Sequence, residues 1–145
     1  MEGNAPGRGK LKVTGILYII LGALGLLGSL ILLVGGGLLM ASGEESGAGV
    51  VLGAAAGILS LLGLVSAVFY LILGILGVKN CDKPEKCGAN FALGVVVLVL
   101  VLVSLVANVM ASGPTGAASN VIGLVLAIIY LLGAKQNKDA AAVKL

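Results

Sequence analysis

The sequence predicts an all-α membrane protein with four transmembrane helices, arranged as two tandem-duplicated helical hairpins with both termini in the cytoplasm. Of its 145 residues, 59% are hydrophobic and 10% are charged, whereas a soluble domain carries about 25% charged residues. The chain contains four apolar stretches long enough to cross a bilayer, for which about 20 residues suffice. All nine Lys and Arg residues lie on one side of these stretches.

The basic residues predict the topology, because positive charge is retained on the cytoplasmic face during insertion. Three precede the first apolar stretch, three lie between the second and third, and three follow the fourth. We therefore place residues 1–12, 79–87 and 135–145 in the cytoplasm, with hairpins at 13–78 and 88–134 in the cell membrane. The basic residues are Arg8, Lys10, Lys12, Lys79, Lys83, Lys86, Lys135, Lys138 and Lys144.

The four spans are predicted at Val13–Ala41, Gly47–Val78, Gly88–Ala111 and Ala117–Ala134. The first is far longer than the apolar region of a signal peptide, about 7–15 residues, so it is interpreted as a span. Helix is the expected conformation throughout, since backbone without hydrogen-bond partners cannot face lipid.

The two hairpins look like copies of one unit. The sequence Met40-Ala-Ser-Gly recurs at Met110. Tyr70 is followed by Gly-Val-Lys-Asn, which begins at Gly77, and Tyr130 is followed by the similar Gly-Ala-Lys-Gln, which begins at Gly133. Because each copy contains two spans, both copies insert into the membrane in the same orientation. Their pseudo-twofold axis therefore runs along the membrane normal. The alternative is convergent use of small residues at helix ends. The first hairpin is longer by ten residues, about 15 Å of helix, which predicts that it extends beyond the outer leaflet or tilts more.

The chain contains 24 glycines, and glycine and other small residues recur along single faces of the predicted helices. Helices in lipid associate through close backbone packing, which small residues permit. The faces serve packing within the bundle, or one of them is left for another subunit; the double GxxxG motif of the second span is our candidate for the latter. The predicted helix-packing or oligomer residues are Gly15, Gly22, Ser29, Gly36, Gly49, Gly53, Gly57, Ser60, Gly123 and Ala127.

The third span differs from the others because Val95–Val103 contains no small residue. We expect this helix to be the most peripheral and to face lipid. Asn108, near its outer end, needs a hydrogen-bond partner at that depth. The candidates are Ser29, Ser112 and a backbone carbonyl.

The cytoplasmic face is expected to meet anionic lipid headgroups, which attract each Lys or Arg by about 1 kcal/mol. Tyr18, Tyr70 and Tyr130 fall near the cytoplasmic ends of their spans and are predicted to anchor there. Nucleic acid is not an expected partner, because the basic residues occur in clusters of three without stacking aromatics.

The chain contains no His, and no Asp, Glu, Lys or Arg occurs inside a span, whereas ion-coupled machines mark their pathways with such groups. The span count is similar to that of small multidrug transporters, but their membrane-embedded Glu is missing. The Gly-rich double hairpin resembles the duplicated proteolipid of rotary ATPases, but the last span, Val121–Tyr130, lacks the carboxylate. Neither function can therefore be transferred to this chain.

The loops carry few reactive groups. Cys81 and Cys87 flank a short cytoplasmic loop, where three interpretations remain open: unmodified thiols, acylation, or a redox-dependent disulfide. Neighbouring Lys residues are expected to lower the thiol pKa values. Glu44 and Glu45 are interpreted as a solvated acidic turn, with weak binding of a divalent cation as the alternative. No metal-ligand spacing or phosphate-binding loop occurs, so we expect no metal, cofactor or enzymatic activity.

The expected function is a non-enzymatic structural or assembly role, in which the chain self-associates or supports a larger membrane complex through its Gly-rich helix faces. One alternative is a channel or carrier for a small or apolar solute. Another is an accessory subunit of a signalling or export system, bound through the basic loop. The residues predicted to line a solute path are Ser29, Ser60, Ser66, Ser104 and Asn108.

Overall fold

The computed structural model describes residues 5–42 and 47–143, and within these ranges all regular structure is helical. The four long helices are apolar enough to cross a membrane, which indicates a multi-pass membrane protein. The predicted all-α fold with four such helices is confirmed. The helices are α1 (Arg8–Ala41), α2 (Ala48–Lys79), α3 (Cys87–Ser112) and α4 (Pro114–Ala142), with a 3₁₀ turn at Pro84–Lys86.

The chain reverses between α3 and α4 at a single residue, Gly113. Its φ is +66° and its ψ is −158°, a backbone conformation that is accessible essentially to Gly alone. Pro114 follows as the first helical residue of α4, where its missing N–H costs nothing and its fixed φ suits the helix.

Two helices extend further than the apolar stretches that predict them. Helix α4 continues to Ala142 rather than ending at Ala134, and α1 begins at Arg8 rather than Val13. Ala, Lys and Gln in these extensions are good helix formers, so the helices have no reason to stop where the apolar residues end. Parts of the two segments predicted as basic tails are therefore helical.

The chain divides into two compact units, and α1 and α2 each contribute to both. One unit comprises Tyr18–Ile72, which is the greater part of the α1·α2 hairpin. The other comprises residues 1–17 and 73–145, which include the hairpin of α3 and α4.

Glycines bring α1 and α2 together within the Tyr18–Ile72 unit. A Cβ atom placed on Gly22 would lie 2.9 Å from the carbonyl oxygen of Ala67, and one placed on Gly36 would lie 3.0 Å from the Cβ atom of Ala56. Such separations leave no room for a side chain. The seven-residue spacing of small residues on α1 is therefore used to pack α1 against α2, where backbone atoms approach closely.

A large aromatic side chain fills the space beside glycines in the second unit. The ring of Tyr130 lies against Gly77 of α2 and Gly94 of α3, so that a Cβ atom at Gly77 would be 2.8 Å from it. The Tyr130 hydroxyl donates a hydrogen bond to the carbonyl oxygen of Leu73 at 3.3 Å. Val97 and Val101 of α3 are also buried in this unit, so the expectation that the Val95–Val103 run faces lipid is wrong for this face of the helix, which packs against protein.

The prediction that tyrosines anchor the helices at the membrane interface is wrong for two of the three. Tyr18 is 2% exposed and Tyr130 is 1% exposed. The Tyr18 ring stacks on that of Tyr70, with a centroid separation of 5.6 Å. The Tyr130 ring is buried because Gly77 and Gly94 provide space for it.

The glycine contacts of α1 predict a large difference between two positions on one helix. Replacing Gly22 with Leu overlaps Ala67 and Leu71 and should reduce the free energy of unfolding by about 1–3 kcal/mol, as overpacking does. Gly28→Leu is the matched control, since nothing lies within 4 Å of a Cβ atom there. Unfolding in mixed detergent micelles would measure both; equal stability of the two variants would contradict this packing.

Candidate functional site

Three asparagines, two cysteines and the backbone of one glycine are buried together at one end of the unit formed by residues 1–17 and 73–145. We call it the basal cluster, and it comprises Gly7, Asn80, Cys81, Cys87, Asn90 and Asn137. Asn90 and Asn137 are both 0% exposed. A buried amide must find hydrogen-bond partners to offset its desolvation, and the cluster provides them.

Asn137 connects three separate segments of the chain. Its side-chain oxygen accepts a hydrogen bond from the backbone N–H of Gly7 at 2.6 Å. Its amide nitrogen donates to the carbonyl oxygen of Cys81 at 2.9 Å. The extension of α4 therefore holds both the segment before α1 and the connection between α2 and α3.

The segment before α1 approaches α4 backbone to backbone. A Cβ atom on Gly7 would overlap the carbonyl oxygen of Gly133 and lie 2.7 Å from the Asn137 side-chain oxygen. Ala5 is buried as well. Only glycine at position 7 allows this contact together with the hydrogen bond to Asn137.

Asn90 and Asn80 complete the cluster between α2 and α3. The Asn90 amide donates to the carbonyl oxygen of Leu76 at 3.3 Å, one of the last carbonyls of α2. The Asn80 amide donates to the Asn90 side-chain oxygen over a long distance of 3.5 Å. These bonds tie the end of α2 to the start of α3.

The two thiols of the cluster are free and buried. The Cys87 thiol lies 3.5 Å from the carbonyl oxygen of Lys83. Burial raises the pKa of the Cys81 thiol, the Asp82 carboxylate raises it further, and Arg8 and Lys12 oppose this with smaller effects. The prediction that nearby Lys residues lower the pKa is therefore wrong for Cys81, because desolvation disfavours the thiolate more strongly than those charges favour it.

Charged side chains surround the cluster. The Arg8 guanidinium forms an ion pair with Asp82 at 2.6 Å, and both side chains are largely exposed. The Lys138 ammonium lies over the Phe91 ring, 4.8 Å from its centroid. Exposed contacts of this kind contribute little to stability, so the buried amides are the principal contacts that organise this end.

The predicted small residues are used differently along the α1·α2 hairpin. Gly53 faces α1: a Cβ atom there would overlap Met40 and lie 2.7 Å from the carbonyl oxygen of Gly36. Gly57, one turn later, meets nothing within 4 Å. Within the double GxxxG motif, Gly57 is thus the glycine whose side-chain direction points into open space.

The other predicted packing residues also lie close to neighbouring helices. Gly15 packs on Gly74 and Val78 of α2, and Gly63 packs on Ser29. Gly49 approaches the carbonyl oxygen of Leu39. On the second hairpin, a Cβ atom placed on Gly123 would lie 3.9 Å from the Val101 side chain, an ordinary van der Waals contact, and Ala127 is fully buried.

Polar residues within the helices mostly hydrogen-bond to their own helix. The Ser60 hydroxyl donates to the Gly57 carbonyl oxygen at 2.7 Å, and the Ser66 hydroxyl donates to that of Leu62 at 2.9 Å. The Asn108 amide donates to the Ser104 carbonyl oxygen at 2.9 Å, so its partner is a backbone carbonyl, one of the three expected candidates. Ser104 itself donates across to Asn120 of α4 at 3.2 Å.

A metal site requires several ligating side chains at one place. Among the described residues, no three His, Cys, Asp or Glu side chains lie together as a metal site. Glu44 and Glu45, predicted as an acidic turn, lie outside the described residues. Comparison with protein-family models, curated proteins and solved structures found no match.

Sequence reasoning missed the buried asparagines. Asn137 lies in the segment predicted as a polar tail, yet it follows Tyr130 by seven residues, which places both on one helix face. Gly133 lies between them on that face. This spacing of Tyr, Gly and Asn was the available signal that the buried face continues beyond the apolar stretch.

Removal of the Asn137 side chain should destabilise the protein. Asn137→Ala leaves the Gly7 N–H and the Cys81 carbonyl without their partner, and each unsatisfied buried group costs about 1–3 kcal/mol. Gln136→Ala is the matched control, since Gln136 is exposed on the same helical turn. Unfolding in detergent should separate the two variants; an unaffected Asn137→Ala protein would show that the cluster is dispensable.

The two cysteines should react slowly with alkylating reagents in the folded protein. Each unit by which a thiol pKa rises reduces its thiolate fraction at neutral pH about tenfold, and burial also restricts access. We expect Cys81 to react at least about tenfold more slowly than Cys introduced by Gln136→Cys, with its rate still rising above pH 9. Mass spectrometry after timed labelling would measure this. Rapid labelling of native Cys81 at neutral pH would contradict its burial.

Proposed function

We propose that this chain is a non-enzymatic component of the cell membrane with a structural or assembly role, performed by binding a second copy of itself or another membrane protein. The observation that carries this proposal is the use of the polar groups. In the described helices the polar side chains mainly form hydrogen bonds with other groups of the protein. Those of the described residues do not converge on a site that could bind a substrate or solute. Extensive apolar helix surface remains for lipid or for other helices.

The proposed topology places both termini and the connection between α2 and α3 in the cytoplasm. It rests on the basic residues, which are absent from the other two connections. Packing of α1 on α2 and of α3 on α4 as hairpins is consistent with the proposed tandem duplication. On this topology the basal cluster lies at the cytoplasmic end, among residues that attract anionic headgroups.

Surfaces for assembly are proposed where glycines remain open. Gly28 and Gly35 of α1 and Gly57 of α2 have no atom within 4 Å of an added Cβ. Another helix can approach the backbone closely at such positions, which is how helices associate in lipid without a hydrophobic driving force. Gly57 is preferred because it belongs to a GxxxG motif, the sequence pattern that most often supports such contacts.

A channel or carrier remains the alternative function. It requires its proposed lining residues to face one path. The Ser66 side chain is exposed and bonded to its own helix, as the hydroxyl of Ser60 is, which does not favour a shared path. The third candidate, an accessory subunit bound through the basic loop, rests on Lys79, Lys83 and Lys86, whose side chains are exposed.

Substitutions in the GxxxG motif test the assembly proposal. Gly57→Ile should shift the protein from a defined oligomer towards monomer in lipid nanodiscs while leaving monomer stability unchanged, because the added side chain enters open space. Loss of this contact should weaken association roughly tenfold, which corresponds to about 1.4 kcal/mol.

The matched comparison is Gly53→Ile, which overlaps Met40 and should unfold the α1·α2 hairpin itself. Single-molecule subunit counting and thermal unfolding would be measured on both variants. A wild-type protein that remains monomeric at every protein-to-lipid ratio, with no membrane partner on crosslinking in its native cell, would refute the assembly role.

A further inference from the structure

The apolar surface of the α1·α2 hairpin is much longer than that of the other hairpin. In α1 the stretch Val13–Met40 contains about 28 residues and no charge, a length of about 42 Å at 1.5 Å per residue. In α2 the corresponding stretch, Ala48–Val78, is about 46 Å long. In α3 the stretch Ala89–Met110 is about 33 Å long.

An ordinary bilayer does not accommodate the longer stretches by tilting alone. A stretch of 42 Å crosses a hydrocarbon core of about 30 Å only when it tilts by about 45°. Transmembrane helices tilt by about 0–40°. By the same geometry, the α3 stretch crosses this core at a tilt of only about 25°. The excess length is therefore specific to the first hairpin.

The outer turns of this hairpin are widely exposed on the surface that faces away from the contact between α1 and α2. Leu38, Leu39 and Met40 are consecutive and all exposed, Leu38 by 66%. Successive residues point about 100° apart around a helix, so three or four consecutive exposed residues cover most of its circumference. Val50, Val51 and Leu52 of α2 repeat this pattern, with Val51 exposed by 69%.

We infer that these outer turns, which we call the apolar tip (residues 38–40 and 50–52), are solvated by acyl chains, and that the chain is built for a bilayer thicker than about 30 Å. A protein partner covers one face of a helix pair, whereas fluid acyl chains cover all of the outward-facing surface of both helices. Water is excluded as the solvent because six exposed Leu, Met and Val side chains would form a large apolar surface. This inference does not depend on the proposed assembly role.

The occupant of the apolar tip can be tested with tryptophan, which the chain lacks. Leu38→Trp gives a single-tryptophan protein with the probe at the tip. Leu100→Trp is the matched control, since Leu100 is exposed on α3 well within its shorter apolar stretch. Both proteins would be reconstituted in phosphatidylcholine bilayers with myristoleoyl, oleoyl or erucoyl chains, in order of increasing thickness.

We expect lipids brominated on their acyl chains to quench the tip indole and aqueous iodide to leave it unquenched in erucoyl bilayers. Unfolding of the wild-type protein should be at least about tenfold slower in erucoyl than in myristoleoyl bilayers, because each ångström of mismatch carries a cost. The Leu100→Trp emission should be the same in all three. Val51→Trp, at the most exposed residue of the tip, provides a second probe if Leu38→Trp does not fold.

Two results would overturn the inference. Quenching of the tip indole by iodide in erucoyl bilayers would place the tip in water, as a surface for a soluble partner. Unfolding that is equally fast or faster in erucoyl bilayers would show that the hairpin fits a thin membrane by another means.

Discussion

Close contact between helix backbones is the constraint on which this structure depends. Lipid chains are as apolar as leucine, so burying apolar side chains between helices gains little in a membrane. Dispersion contacts must replace that gain, and a gap of about 0.5–1 Å already loses a quarter to a half of their energy. At Gly22 and Gly36 an added Cβ atom would lie within 3.0 Å of atoms of α2, so glycine at these positions sets how closely the two helices approach.

Glycine has a second use in the unit that contains α3 and α4, where it makes space for larger side chains. Gly77 and Gly94 accommodate the Tyr130 ring, and Gly7 allows the segment before α1 to reach Asn137. The buried amides then add directional bonds to contacts that dispersion alone leaves unspecific. Packing by small residues and hydrogen bonding by Asn are therefore parts of one arrangement, in which each requires the other.

Much of this fold follows from the sequence. Apolar length alone predicts four helices, and the seven-residue spacing of Gly22, Ser29 and Gly36 identifies the face of α1 that meets α2. Gly113 followed by Pro114 marks the reversal between α3 and α4. These features are local, because each depends on helix periodicity or on backbone conformations that few residues adopt.

The features that sequence reasoning missed depend on contacts between distant segments. A criterion of apolar length stops at Ala134, so it cannot detect that Asn137 is buried by Gly7, 130 residues earlier. Tyrosines near helix ends are typical of both interfacial anchors and packed cores; the neighbouring glycines distinguish the two. Gly53 and Gly57 lie one turn apart, and the crossing of α1 and α2 alone decides which of them is covered.

The central claim is that this chain acts by assembling with other membrane helices. Native mass spectrometry of the protein, released with its surrounding lipid from the membrane of its own cell, tests this claim most directly. The account predicts a defined stoichiometry, either a homo-oligomer or a complex with a second membrane protein. A single chain accompanied only by lipid would contradict it and would make solute transport the function to examine.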